Sequence, residues 1–274
     1  MSTSGSFDDR TKILIGDSGA EVLAKARVAI YGLGGVGAAL AMDLVRAGIG
    51  HLYVVDFDIV DVSNLNRIYF GFASTVGMPK TEAFSRFARE INPGVAIESR
   101  QVFFSGVEAH AIVDAASDIH ADCVDSLNAK ANLIAELCAR NSTFIASMGT
   151  AGRLAPEKLK LGSIWKTEGC PLAKSVRTRL KHMGVKADFP VVWSDEPPVK
   201  PVQAPEVLAA DRQSTPDAAS NDEENGAPSA ASGASGALGR MRMIQGSSPF
   251  VPQTAGHIMA SWIVRRLLSQ TSLG

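Results

Sequence analysis

The stretch that most restricts this chain is residues 28–67, where VAIYGLGGVG is followed by VVDFDIV and then by SNLNR. A short run of strand-forming residues breaks into Gly32, Gly34, Gly35 and Gly37, and a helix-type pattern, AALAMDLVRAG, follows at once. Glycines at a strand-to-helix turn let a backbone approach phosphate oxygens, and the helix N-terminus behind them favours negative charge. Asp56 and Asp58 stand at the end of a second apolar strand, and Asn64, Asn66 and Arg67 come soon after. In Gly77-Met78-Pro79-Lys80 a lysine opens another helix. Arg67 and Lys80 would be superfluous for hydride transfer but suit a polyphosphate whose charge shifts during reaction. Asp56, about twenty residues past the glycines, also fits the ribose ligand of an NAD domain. On that residue alone, NAD and ATP both stay open.

Apolar runs alternate with helical patterns from Arg27 to about Met148. The pattern predicts strands at 27–31, 51–55, 95–100, 121–124 and 143–147, with helices near 35–47, 80–91, 106–116 and 127–140. The implied class is α/β, a doubly wound, mostly parallel, Rossmann-like sheet. Ligands of such sheets sit at the carboxyl ends of the strands, where Gly32, Asp56 and Asp125 fall. Residues 149–193 are less periodic and hold a basic helix at 171–183. Residues 195–239 are rich in Pro, Ala, Ser, Gly and acids, a composition that cannot bury enough apolar surface to offset its chain entropy. Three parts are therefore expected: a nucleotide-binding domain with an N-terminal helix over 1–150, a substrate-side extension with a closing helix over 151–202 and 240–274, and a disordered acidic insertion over 203–239.

Hydrophobic content of 46% in 274 residues supplies a core. No run of eighteen apolar residues marks a membrane span, and MSTSGSFDDR lacks the pattern of a secretory signal. Cys123, Cys138 and Cys170 fit a reducing, cytoplasmic setting better than a disulfide framework. No C-x-x-C pair suggests a structural zinc. The insertion 203–239 holds six acids against Arg212, a net −5 that leaves the rest of the chain at +4. From Gly169 to Ala187 there is no acid, while Lys174, Arg177, Arg179, Lys181 and Lys186 are basic. That run reads either as a solvated helix face or as a polyanion contact.

GLGGVG, DFDIVDVSNLNR, VGMPKTEA, INP and VDSLNAK, in this order and spacing, resemble the ubiquitin-activating-enzyme-like adenylating superfamily over about residues 10–150. The resemblance implies that the glycine loop cradles ATP and Asp56 binds the ribose. It also implies that Asn64, Arg67 and Lys80 hold phosphates, with Asp58, Asn66 and Ser126 beside the nucleotide and Asp125 on Mg²⁺. Arg10 matches an N-terminal arginine that reaches the partner subunit's phosphates, which implies a homodimer. RTKILIGDSGAEVL, SMGTAGRLAPEKLKLGSIWKTEGCPLAKSVRTRLKHMG, FPVVWSDEPPVKP and GSSPFVP are most similar to the tRNA threonylcarbamoyladenosine dehydratases. Those enzymes use ATP to activate the threonyl carboxylate on a modified adenosine beside the anticodon, then close a ring with loss of water. The partners implied are tRNA, with Lys174, Arg177, Arg179 and Lys181 as its contacts, and sulfur-transfer proteins. Ala155 departs from an expected acid before Pro156, and Arg153 from a small or amide residue. The other reading is an activating enzyme for a ubiquitin-like or sulfur-carrier protein, a class that often carries zinc cysteines and a catalytic cysteine loop.

Asp125 also reads as a helix N-cap, Asp58 as a structural turn, and Asp122 as a structural acid at a strand end. Cys123 and Cys138 are expected to be buried. Cys170 precedes Pro171 at a helix start, where a thiolate would be stabilised. None of the three is needed for an adenylation followed by an intramolecular closure.

Overall fold

The computed structural model describes residues 5–103, 109–199 and 246–269. The expected insertion 203–239 lies outside these residues. The chain opens with α1 (Asp9–Lys25), which is interrupted at Gly16, where φ is +72°. Then come β1 (Arg27–Tyr31), α2 (Gly35–Ala47), β2 (His51–Val55), α3 (Lys80–Ile91) and β3 (Ala96–Arg100). They are followed by α4 (Ala109–Ile112), β4 (Ile119–Asp122), α5 (Leu127–Ala139) and β5 (Phe144–Ser147). Last are β6 (Leu159–Ser163), α6 (Pro171–His182), β7 (Pro190–Ser194) and α7 (Phe250–Leu268).

The seven strands run in the order β3-β2-β1-β4-β5-β7-β6, all parallel except β6, which lies antiparallel to β7. The doubly wound, mostly parallel sheet is therefore present. Its order reverses between β1 and β4, the switch point where such sheets open a crevice. β1 shows why both faces are covered. Val28 and Ile30 enter one apolar cluster with α2, α3 and α7, while Ala29 and Tyr31 enter the other with α5 and α6. Successive strand residues point to opposite faces, so a run buried throughout needs helices on both sides.

The strand ends are in register. Tyr31 pairs with Val55 on one side and with Asp122 on the other. The loops that begin at Gly32, Asp56 and Cys123 thus leave the sheet side by side. β6 and β7, which no periodicity announced, extend the same sheet. β4 ends at Asp122, earlier than expected, so Asp125 lies three residues into the loop. α4 spans four residues, shorter than the 106–116 pattern suggested; residues 104–108 lie outside the description.

α7 packs across α2. Gly256 permits this, since an added Cβ would stand 2.5 Å from the Val36 carbonyl oxygen and 2.8 Å from the Ala39 side chain. The last helix is thereby pressed onto the helix that carries the glycine loop.

Candidate active site

The glycine loop divides its work. Gly32 takes a φ of +91°, which L-residues avoid, and turns the chain off β1. At Gly37 a Cβ would sit 1.8 Å from the Gly32 carbonyl oxygen, so only glycine lets the loop fold onto its own helix. Gly35 lies against the Arg67 stem and Pro252, whereas Gly34 faces open space. No side chain caps α2. Its first N–H groups and the helix dipole are set to meet an anion at that open face.

Asp56 locks this loop to the end of β2. Its carboxylate accepts the Leu33 N–H at 2.6 Å and the Asp58 N–H at 2.8 Å. Burial pushes its pKa up, against the nearby Lys80 charge. Asp56 is thus first a clamp, and a ribose contact must use the acceptor capacity that remains. Asp58 is half-exposed and accepts Lys80 Nζ at 2.6 Å. The motif around Lys80 is tied to the β2 loop by main-chain bonds, Lys80 N–H to the Asp58 carbonyl at 3.0 Å and Val60 N–H to that of Met78 at 2.8 Å. The second cation expected from Gly77–Lys80 is therefore beside the acids.

Arg67 projects from the turn after Val62–Asn64. Its guanidinium donates to the Ser63 carbonyl at 2.8 Å and to Asn66 Oδ1 at 2.9 Å. Partial burial lowers its pKa, while the charges of Asp125 and Asp61 oppose that shift. The influence of Asp125 on Arg67 brings the β4 loop and the SNLNR turn to one place. Asn64 is different. It is buried, and with Asp61 it closes a reciprocal cap on the turn, Asp61 accepting Ser63 N–H at 2.6 Å. Its main-chain carbonyl accepts the Arg67 N–H at 3.0 Å, and its Nδ2 donates to Ser63 Oγ at 3.4 Å. Asn66 reaches the Ser247 carbonyl at 2.9 Å, just before α7.

Past β4, Asp122 is sealed against Lys130 at 2.7 Å, both side chains fully buried. This bears out its reading as a structural acid. The helix cap position of α5 belongs to Ser126, not Asp125. Asp125 is exposed, and no hydrogen bond engages its carboxylate among the described residues. No group of three or more His, Cys, Asp or Glu that could hold a metal occurs among those residues. One carboxylate beside a polyphosphate still fits Mg²⁺, which binds through one or two carboxylates plus phosphate oxygens. Burial pushes the Cys123 and Cys138 thiols up, as suits inert packing groups. Cys170 is buried at the head of α6.

Three contributors escaped the sequence reading. Gln253 on α7 donates to the Arg67 carbonyl at 3.2 Å. His257, one turn on, joins Asp43 of α2 at 2.5 Å and Tyr69 Oη at 3.3 Å. Glu196 accepts the Leu154 and Ala155 N–H groups at 3.1 and 3.0 Å, ordering the loop where Ala155 replaces an acid. Arg153 is buried there, its Nε donating to the Glu196 carbonyl at 2.9 Å.

The basic helix divides as well. Arg177 turns inward to the Thr167 carbonyl at 2.9 Å and to its hydroxyl, and Arg179 turns to Asn128. Lys174 and Lys181 remain exposed. Arg10 is exposed on the first half of α1, next to Ile13 and Leu14, which are 78% and 84% exposed.

The ThiF family model matches residues 9–156, which hold the glycine loop, both cations and Asp125. The chain belongs to the ThiF family. A tRNA threonylcarbamoyladenosine dehydratase of Bacillus subtilis is 32% identical over 264 residues, covering 96% of this chain and 95% of that protein. Saccharomyces cerevisiae tRNA threonylcarbamoyladenosine dehydratase 2 is 35% identical over 186 residues, 67% of this chain and 42% of its own length. Among solved structures, Escherichia coli tRNA N6-threonylcarbamoyladenosine dehydratase in complex with ATP superposes with a TM-score of 0.78, at 24% identity and covering 97% of this chain and 95% of that one. This ThiF-family chain thus has the fold its motifs implied. Its likeness to a dehydratase extends past the nucleotide-binding part, through β6, β7 and α7.

Proposed function

We propose that this chain is an ATP-dependent tRNA threonylcarbamoyladenosine dehydratase. The observation that carries the reading is full-length likeness to the Bacillus subtilis dehydratase, together with an anion cradle flanked by Arg67, Lys80 and Asp125. ATP is consumed here, so it is a co-substrate. Its phosphates fit the open face at Gly34 and the uncapped start of α2. Mg²⁺, held by Asp125 and phosphate oxygens, would neutralise phosphate charge.

The chemistry follows from these placements. The threonyl carboxylate attacks the α-phosphorus, an acyl–phosphate bond forms and pyrophosphate leaves. Arg67 and Lys80 stabilise the charge that moves onto the phosphates; one such donor is worth about 3 kcal/mol. Lys80 must exchange part of its bond with Asp58 for this, and the exposure of Asp58 leaves room for the exchange. A nitrogen of the same substrate then closes on the activated acyl carbon and AMP leaves with the oxygen. The second step is intramolecular, so proximity supplies much of its rate. It needs no enzyme thiol, in keeping with a buried Cys170 and with partly buried Cys123 and Cys138, whose thiols desolvation pushes up.

The working unit we propose is a homodimer, because Arg10 stands beside Ile13 and Leu14, apolar side chains that a second copy would cover. Sulfur-transfer proteins, the remaining partners of the resemblance, have no surface assigned to them. Incubation of the protein with ATP, Mg²⁺ and tRNA bearing threonylcarbamoyladenosine should yield the cyclic nucleoside on mass analysis. Turnover of a carrier-protein C-terminus with no change in the tRNA would refute the reading. Mixing Arg10→Ala with Lys80→Ala subunits should restore activity if Arg10 serves the opposite site.

A further inference from the structure

With Arg177 and Arg179 bound to the protein itself, Lys174 is left exposed in the first half of α6, and Lys181 and Lys186 are left exposed about its C-terminal end. There Trp165, Lys181, Gly184, Val185 and Lys186 line a hollow of about 380 Å³. That volume falls in the range of about 300–1,000 Å³ usual for small-ligand sites. The hollow is built, not incidental. Trp165 is held by a bond from its indole Nε1 to the Ala187 carbonyl at 3.0 Å, and its main-chain N–H donates to Ser163 Oγ at 3.1 Å. Gly184, with φ +74°, turns the chain so that Lys186 returns to the same rim. Lys181 Nζ lies 5.9 Å from the Trp165 ring centroid.

No acid is among the lining residues. Asp188, close in sequence, accepts the Ser163 hydroxyl at 2.6 Å and the Phe189 N–H at 3.0 Å; Glu168 is exposed nearby in the chain. A fixed, half-buried aromatic face with two mobile lysines is the chemistry that recognises a nucleotide. The ring stacks on the base without choosing its sequence, and the ammonium groups pair with phosphate.

We infer that this hollow holds one nucleotide of the tRNA, away from the reacting adenosine, with its base on Trp165 and its phosphate between Lys181 and Lys186. The inference rests on the tRNA reading above. In forming this contact Lys181 swings its exposed stem from the ring to the phosphate, freeing the ring face. Lys174, two turns back on the same face of α6, would track the adjoining backbone.

The test uses full-length protein and an unmodified tRNA transcript, with affinity measured across a salt series. Lys181→Ala with Lys186→Ala should flatten the log–log salt slope by about 0.7–0.9, the amount that goes with one phosphate. Trp165→Ala should weaken binding about five- to a hundredfold. Because Trp165 also packs on the core, Trp165→Phe serves as the folded control and should keep most of the affinity. Addition of the transcript should quench indole fluorescence in the wild type, and less in Trp165→Phe. ATP affinity should be unchanged in all variants. Wild-type binding with an unaltered slope and affinity in the variants would overturn the site and leave the tRNA reading standing. Absence of any salt-dependent tRNA binding by the wild type would overturn both. If AMP alone quenches Trp165 as tightly as the transcript does, the occupant is a free nucleotide and the inference fails.

Discussion

Two lysine–aspartate pairs flank β1, one at the end of β4 and one at the end of β2. Lys130–Asp122 is fully buried, its atoms 2.7 Å apart. Lys80–Asp58 is as short, at 2.6 Å, but its carboxylate is 45% exposed. The chemistry is the same; access to solvent differs. In the sealed pair neither charge can change partners without stranding the other in a medium that cannot solvate it. In the open pair Lys80 is nearly buried but Asp58 is not, so when a phosphate takes over the lysine, water solvates the carboxylate left behind. One pair therefore fixes the strand end, and the other holds a cation ready to move. Distance alone would not distinguish them.

Three substitutions are informative, the first two of which sharpen or break this contrast. The largest effect is expected from Lys130→Met, which leaves Asp122 charged and unpaired in the core. Stability should fall by about 3–5 kcal/mol, read from denaturant midpoints. Adding Asp122→Leu should recover most of it, and no recovery would mean that the pair does more than neutralise itself. Next is Lys80→Ala, for which activity should fall about 10²–10³-fold while the melting midpoint moves far less than in Lys130→Met. Equal loss of stability in the two would erase the distinction.

The third concerns pH. His120 lies in β4, its Nδ1 3.1 Å from Tyr31 Oη, and burial depresses its pKa from 6.5 to about 4. The unfolded chain thus binds a proton that the folded one refuses between those values. Stability contributed by neutral His120 is complete above pH 6.5 and is lost as pH falls toward 4, by roughly 3 kcal/mol. His120→Phe should remove that part of the acid limb in denaturation curves taken across the window. An acid limb of unchanged steepness would show that other groups control it.

The first half of the molecule was legible because its local pattern and its tertiary role agree. VAIYGLGGVG is a buried strand that ends in glycines needed on the spot, and β1, α2, β2 and α3 lie within a residue of their expected bounds. β6 was not legible. LKLGS carries exposed Lys160 and a glycine, and its place in the sheet is set by antiparallel pairing to β7 from about thirty residues away, with Leu159 packed on the core. PVVWS is a short buried run of the kind that periodicity alone does not separate from a buried helix segment. The site divides the same way. Arg67 and Lys80 were marked as candidates by the residues around them, and Asp125 by its place past a strand end and by the family resemblance. The inward turn of Arg177 depends on Thr167, and the burial of Asn64 depends on its cap with Asp61. Gln253 and His257 come from a helix almost two hundred residues downstream, and nothing near them in sequence marks their partners.

That last dependence has a consequence for synthesis. The glycine loop leaves the ribosome about two hundred residues before α7, the helix that braces it. Until Gly256 has settled against α2 and Gln253 has reached the Arg67 carbonyl, the nascent chain carries a phosphate loop without its support. A chain cut short before α7 should therefore hold its glycine loop and Arg67 less firmly than the full chain does, which limited proteolysis of the two would compare.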